Sequence, residues 1–161
     1  KVELESLKEG DAVKIIALEK TFERTLNHPD LPYPVLIKGN VDRIEERNGI
    51  IRIIDYKTGK VEKTNVSLKS WNGLTQEIKN DKIIQVLAYA FMYEQEANGK
   101  PIEAGIISFK NLKSGFLPFN YKEDKEVQQI INQEIMTNYL EEMVLLLKEI
   151  LDESVPFEEK V

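Results

Sequence analysis

The sequence predicts an α/β fold in which helices cover a mixed β-sheet. Three observations predict it. Strand-forming runs fill the first third of the chain and are joined by an Asn-Gly turn; a helical segment that is apolar almost all round follows; a long amphipathic segment lies near the C-terminus. With 161 residues and 42% hydrophobic content, the chain is expected to form one domain, residues 1–161. That size buries a core without a disulfide or a structural metal, and the sequence has no cysteine.

Taken in order, Val13–Leu26 is rich in strand formers and predicts a first long strand. A turn-rich loop containing His28-Pro29-Asp30 and Pro32-Tyr33-Pro34 follows it. Val35–Glu46 and Ile50–Lys57 predict the next two strands. Between them, Asn48-Gly49 suits a type I′ turn, which needs positive φ at both central residues. A polar stretch then runs to about Asp81, long enough for a functional loop or a short helix.

Lys82–Asn98 predicts a well-buried helix, since Ile83, Ile84, Val86, Leu87, Ala88, Phe91 and Met92 leave it little polar face. Asn98-Gly99-Lys100-Pro101 stops it. Ile102–Phe109 and Phe116–Tyr121 predict two more strands around a Lys113-Ser114-Gly115 turn. Asp124–Asp152 predicts a long helix with Val127, Ile131, Ile135, Tyr139, Met143, Leu147 and Ile150 on one stripe. The expected order is β-β-β-α-β-β-α.

A net charge of −6 is unusual for a protein that handles nucleic acid. Its distribution is uneven, however: residues 122–161 hold four lysines against eleven acids, which leaves 18 basic and 17 acidic residues in the first 121. Lys57–Asn72 is locally basic through Lys57, Lys60, Lys63 and Lys69 against Glu62 alone. No apolar stretch is long enough to span a bilayer and no secretory-type leader is visible, so a soluble cytoplasmic protein without a membrane partner is expected. A first residue of Lys1 rather than Met suggests a piece of a longer chain.

The hairpin register carries the chemistry. With the turn centred on Asn48-Gly49, paired residue numbers sum to 97 and Asp42 falls opposite Asp55. Opposed carboxylates repel across a ladder unless a cation sits between them, and hard oxygen ligands suit Mg²⁺ or Mn²⁺. Alternation puts Lys57 on the face of Asp55 and turns the Tyr56 side chain away, leaving its backbone carbonyl within reach of the metal. A lone Asp-x-Lys is ordinarily a turn acid and a solvated lysine. The opposed Asp42 is what weighs against that here.

Gly39-Asn40-Val41-Asp42-Arg43-Ile44, then Asp55-Tyr56-Lys57-Thr58-Gly59, then Gln85-Val86-Leu87-Ala88-Tyr89 resemble the G-x-x-D-R-I, D-Y-K-T-G and Q-x-x-x-Y series of the PD-(D/E)xK nuclease superfamily. The pattern is most similar to RecB/AddB-type nuclease domains, to which the CRISPR adaptation nucleases are related. It runs from about Ala17 to Tyr93. The resemblance implies a restriction-endonuclease-like core and a Mg²⁺- or Mn²⁺-dependent deoxyribonuclease, exonuclease rather than endonuclease, serving a DNA-repair or recombination helicase-nuclease.

By that resemblance Asp42, Asp55 and the Tyr56 carbonyl hold the metal, and Lys57 orients the attacking water, with Gln85 and Tyr89 facing the same site. The plainer account of Gln85 and Tyr89 is a polar pair satisfying the sheet end. Glu19, in Glu19-Lys20-Thr21-Phe22, resembles a glutamate that precedes the metal hairpin in this family; an edge-strand glutamate in solvent is the alternative. Lys60, Lys63, Lys69 and Trp71 are candidate DNA contacts, Trp71 either stacking on a base or anchoring its loop.

Two family features are missing. Nothing before Val13 offers in full the early helix that usually supplies a His or Glu to the metal, and iron–sulfur cysteines would require a longer parent chain. A non-catalytic DNA-binding or scaffolding domain of the same fold is the runner-up function.

Overall fold

The computed structural model describes residues 11–158. Three strands open it: β1 (Val13–Leu26), β2 (Val35–Arg47) and β3 (Ile50–Lys57). The β2–β3 turn forms as the Asn-Gly dipeptide predicts, with φ of 52° at Asn48 and 82° at Gly49. The Asn48 side chain also ties the turn to the start of β1, accepting from the Ala12 N–H at 3.0 Å and donating to Asp11 at 3.0 Å. The predicted register follows, from Arg47 opposite Ile50 to Arg43 opposite Ile54.

The polar stretch becomes a chain of tight turns at Lys63–Val66, Leu74–Gln76 and Ile78–Asn80, with the two-residue strand β4 (Ser67–Leu68) among them. Buried Val61, Val66, Leu68 and Leu74 pin it to the core. Helix α1 (Asp81–Tyr93) is apolar nearly all round and buries Ile83, Val86, Leu87 and the run Tyr89–Tyr93. It stops short of the expected Asn98, because Glu94–Ala97 tightens into a 3₁₀ turn before Asn98 enters the left-handed region. Arg24 of β1 holds that end, donating to the Phe91 carbonyl at 2.8 Å and pairing with Glu94 at 2.8 Å.

The remaining elements are β5 (Ile102–Ser108), β6 (Phe116–Pro118), β7 (Asn120–Glu123), β8 (Glu126–Gln128) and α2 (Gln133–Leu151). The main sheet has the order β1-β2-β3-β5-β6, with β3 and β5 parallel and the other neighbours antiparallel. A second sheet, β4-β7-β8, lies apart. The architecture is therefore the expected mixed sheet flanked by helices. No described helix is long and apolar enough to cross a membrane.

Two expectations fail near the C-terminus. Phe116–Tyr121 is not one strand: buried Phe119 donates its N–H to the Ala104 carbonyl at 2.8 Å, and there the chain leaves the first sheet for the second. Asp124–Asp152 is not one helix either. Asp124 takes a φ of 53° and closes a β7–β8 hairpin, which leaves Val127 exposed on a strand and Ile131 buried just before the helix. Asn132 is the true start of α2, its side chain accepting from the Ile135 N–H at 2.9 Å. Val127 and Ile131 fit a helical period only by coincidence of spacing.

A close approach explains Gly105, which pairs with Pro118 across β5 and β6. A Cβ there would meet the Leu117 carbonyl oxygen at 2.2 Å. Gly105→Ala is therefore expected to destabilise the fold by about 1–3 kcal/mol through strand displacement. Gly59→Ala, where a Cβ meets nothing within 4 Å, should change stability by less than about 0.5 kcal/mol. Urea denaturation of the two variants checks this; equal losses would contradict the close approach.

Candidate active site

The site forms where β2 stops pairing with β3. The ladder ends at Arg43–Ile54, and the next positions in the same register are Asp42 and Asp55. The Tyr56 N–H, which a continued ladder would give to a β2 carbonyl, donates instead to Asp42 Oδ2 at 2.7 Å. Asp42 is also passed over in the β1–β2 ladder, where its counterpart Glu19 has a φ of 46°. Both irregularities free Asp42 from regular pairing.

A Cβ at Gly39 would lie 3.2 Å from the Tyr89 ring. Gly39 is bare so that Tyr89 of α1 can approach the sheet.

From Asp55 the polar groups run in a chain. Lys57 Nζ lies 2.8 Å from Asp55 Oδ2 and donates to Gln85 Oε1 at 2.6 Å. Lysine has no acceptor, so the Gln85 oxygen must face it and the amide nitrogen must point onward. That nitrogen donates to the Tyr89 hydroxyl at 2.8 Å. The phenol, its pKa raised first by burial, lies near enough to Asp55 for the carboxylate's charge to raise it further. Gln85 and Tyr89 sit one helical turn apart on α1, as their spacing requires.

Burial sets the electrostatics. Asp55 is 5% exposed, and loss of hydration pushes its carboxyl above the ordinary value of 3.8. Lys57 opposes that rise, while the charge and close carboxylate of Asp42 add to it. The Tyr89 phenol is raised by burial first and then by Asp55, so it stays a proton donor.

These residues fit a divalent cation. The Asp55 carboxylate is buried, with the Lys57 ammonium 2.8 Å from Oδ2 and the Asp42 carboxylate close by. A hard cation between two carboxylates cancels their repulsion. The donor set is sparse, since no group of three or more His, Cys, Asp or Glu side chains gathers among the described residues. The upstream ligand sought in residues before Val13 falls largely outside the described residues.

Other sequence candidates lie farther from this cluster. Glu19 is exposed on edge strand β1. Lys60 pairs with Glu62 at 2.9 Å in solvent, and Lys63 and Lys69 are exposed on the loop before α1. Trp71 stacks on Tyr121, ring centroids 5.4 Å apart and 19° from parallel, and tilts against Phe119. It borders a cavity whose other walls include Glu123, Glu126 and Glu134. The structure also adds what sequence reasoning missed: Ser108 is fully buried and donates to the Gly59 carbonyl at 2.7 Å, fastening the segment after Lys57 to the end of β5. A serine at a strand end carries no signal of that role.

The family model of the PD-(D/E)XK nuclease superfamily matches residues 1–161. Among solved structures, the crystal structure of SSO0001 matches over 80% of this chain and 49% of its own, at 17% identity and a TM-score of 0.34. This chain thus spans about half the length of that one. No curated protein matches it.

Asp55 generates a pH prediction for the metal-free protein. Its folded-state pKa is raised, so protonation favours the native state: its contribution is fully present below 3.8 and is lost as pH rises through the raised value. Above that window the ionised group is a standing cost. Asp55→Asn should therefore melt higher than the parent at neutral pH with chelator present, and the difference should vanish below pH 3.8. A variant less stable at neutral pH would contradict it.

Proposed function

The chain belongs to the PD-(D/E)XK nuclease superfamily, and we propose that it hydrolyses phosphodiester bonds in DNA with Mg²⁺ or Mn²⁺ held by Asp42, Asp55 and the Tyr56 backbone carbonyl. One observation carries the reading: a buried carboxylate, raised above its ordinary pKa by burial, beside a second carboxylate and a lysine at the end of a sheet. A bound divalent cation supplies Lewis-acid polarisation of the phosphate and lowers the pKa of water at the site.

The chain's own residues supply the rest. Gln85 holds the Lys57 ammonium by its amide oxygen, so the charge keeps one place rather than sweeping a cone. From there Lys57 orients the attacking water and offsets charge that builds on the phosphate in the transition state. Tyr89, receiving from Gln85, presents its hydroxyl toward Asp55, and burial together with that carboxylate's charge keeps the phenol protonated. Asp42 spends one oxygen on the Tyr56 N–H, which orients the Asp42 carboxylate and the Tyr56 peptide together.

Exonuclease action and service in a RecB/AddB-type helicase-nuclease of DNA repair or recombination are the finer form of this proposal. Their support is the G-x-x-D-R-I, D-Y-K-T-G and Q-x-x-x-Y series, whose members Asp42, Asp55, Lys57, Gln85 and Tyr89 converge in space. Lys60, Lys63 and Lys69 would guide the backbone of the strand toward them. The sparse donor set favours a second reading, a non-catalytic DNA-binding or scaffolding domain.

Mn²⁺ separates the two. In the catalytic reading Mn²⁺ raises the melting temperature, by an amount corresponding to about 2.7 kcal/mol at a hundredfold excess over Kd, and Asp42→Asn abolishes the rise. Lys57→Ala should retain that stabilisation while losing about 10²–10³ in turnover on linear DNA. A protein that binds DNA, ignores Mn²⁺ and cuts nothing is the scaffold instead. Reversing Lys60 and Lys63 to Glu should weaken DNA binding and flatten its dependence on salt; an unchanged slope would remove that loop from the DNA path.

A further inference from the structure

We propose that Phe109, in the β5–β6 loop, is a stacking platform for an unpaired base of the substrate strand, flanked by Lys110 and Lys113 as phosphate contacts. The proposal rests on the nuclease reading above and adds to it the side from which the strand is held.

Topology places this loop at the site. Strands β3 and β5 are parallel and in register to their ends, with Asp55 opposite Ile106, Tyr56 opposite Ile107 and Lys57 opposite Ser108. Ser108 fastens itself to the Gly59 carbonyl, and Phe109 is the next residue. The loop thus leaves the sheet at the same end as Asp55 and Lys57. In parallel sheets that end is where ligands are met.

Phe109 is held without being buried. Its ring lies parallel to that of Tyr56, centroids 5.5 Å apart and planes 10° from parallel, at the sheet end that carries Asp55 and Lys57 but on the opposite face. Even so, Phe109 is 53% exposed, and Leu112 in the same loop is 37% exposed. An aromatic ring backed by another ring and open on its far side has a preset orientation and a free π-face. Bases stack on such faces whatever their sequence, but only when they are not already stacked within a duplex.

Charge complements the ring. The loop reads Phe109-Lys110-Asn111-Leu112-Lys113-Ser114-Gly115, with two lysines and no acid, in a chain of net charge −6. Both lysines are exposed. A basic loop bearing one rigid aromatic matches the backbone and base of a single strand better than it matches a protein core. The aromatic pocket at Trp71 is the opposite case, since three glutamates border it.

Fluorescence anisotropy tests the proposal with the 161-residue chain, in chelator so that nothing is cut. The probes are a short labelled single strand, a duplex with a single-stranded overhang and a blunt duplex. Phe109→Ala should weaken the single strand and the overhang by about tenfold or more and leave the blunt duplex unchanged. Phe109→Trp should bind them at least as tightly as the parent, and reversal of Lys110 and Lys113 to Glu should flatten the salt dependence. Unchanged single-strand binding in Phe109→Ala, with an unchanged melting temperature, overturns the platform and leaves the nuclease reading intact. Equal losses on all three probes also overturn it. If the parent protein binds none of the probes, the DNA-acting reading itself fails along with the platform.

Discussion

Two carboxylates held together at the margin of an apolar core set the terms for the rest of this molecule. Asp55 closes a strand whose preceding inward residues, Ile51 and Ile53, are almost wholly buried, and it is itself 5% exposed. Placing a second acid beside it raises the cost of ionisation further, and a single lysine does not cancel that cost. Such a cluster weakens a fold that needs it only for packing. A divalent cation between the two carboxylates would remove that cost.

The surrounding fold accommodates the pair by breaking its own regularity. β2 gives up pairing at Asp42, β1 admits a left-handed residue opposite it, and Asp42 spends an oxygen on the orphaned Tyr56 N–H. Bare Gly39 lets α1 come close enough for Tyr89 and Gln85 to reach the site of Asp55 and Lys57. On the other side, Ser108 and Gly59 lock the end of β5 to the segment that follows Lys57. Irregular backbone thus collects around the charged groups, while β3 and β5 pair in unbroken register from Ile51 to Lys57.

The first half of the chain was legible because its signals are local. Asn48-Gly49 dictates a turn, the turn dictates a register, and the register brings Asp42 and Asp55 to adjacent positions before any distance is known. Gln85 and Tyr89 needed the family resemblance, since a glutamine and a tyrosine on a buried helix have a bland explanation. Residues 116–132 misled because the deciding contacts are distant: Phe119 turns the chain through a bond to Ala104, and the Asp124 turn is stabilised by pairing between β7 and β8. Hydrophobic spacing of four residues there mimics one continuous helix. The cap at Asn132 was the only local sign of the true start.

Crystals soaked in Mn²⁺ and measured at an energy where manganese scatters anomalously test the central claim most directly. A peak between the carboxylates of Asp42 and Asp55, with the Tyr56 carbonyl oxygen at about 2.0–2.6 Å from it, is the predicted result. A peak elsewhere on the molecule, with these two carboxylates unligated, would contradict the claim that the cation is what makes their juxtaposition stable.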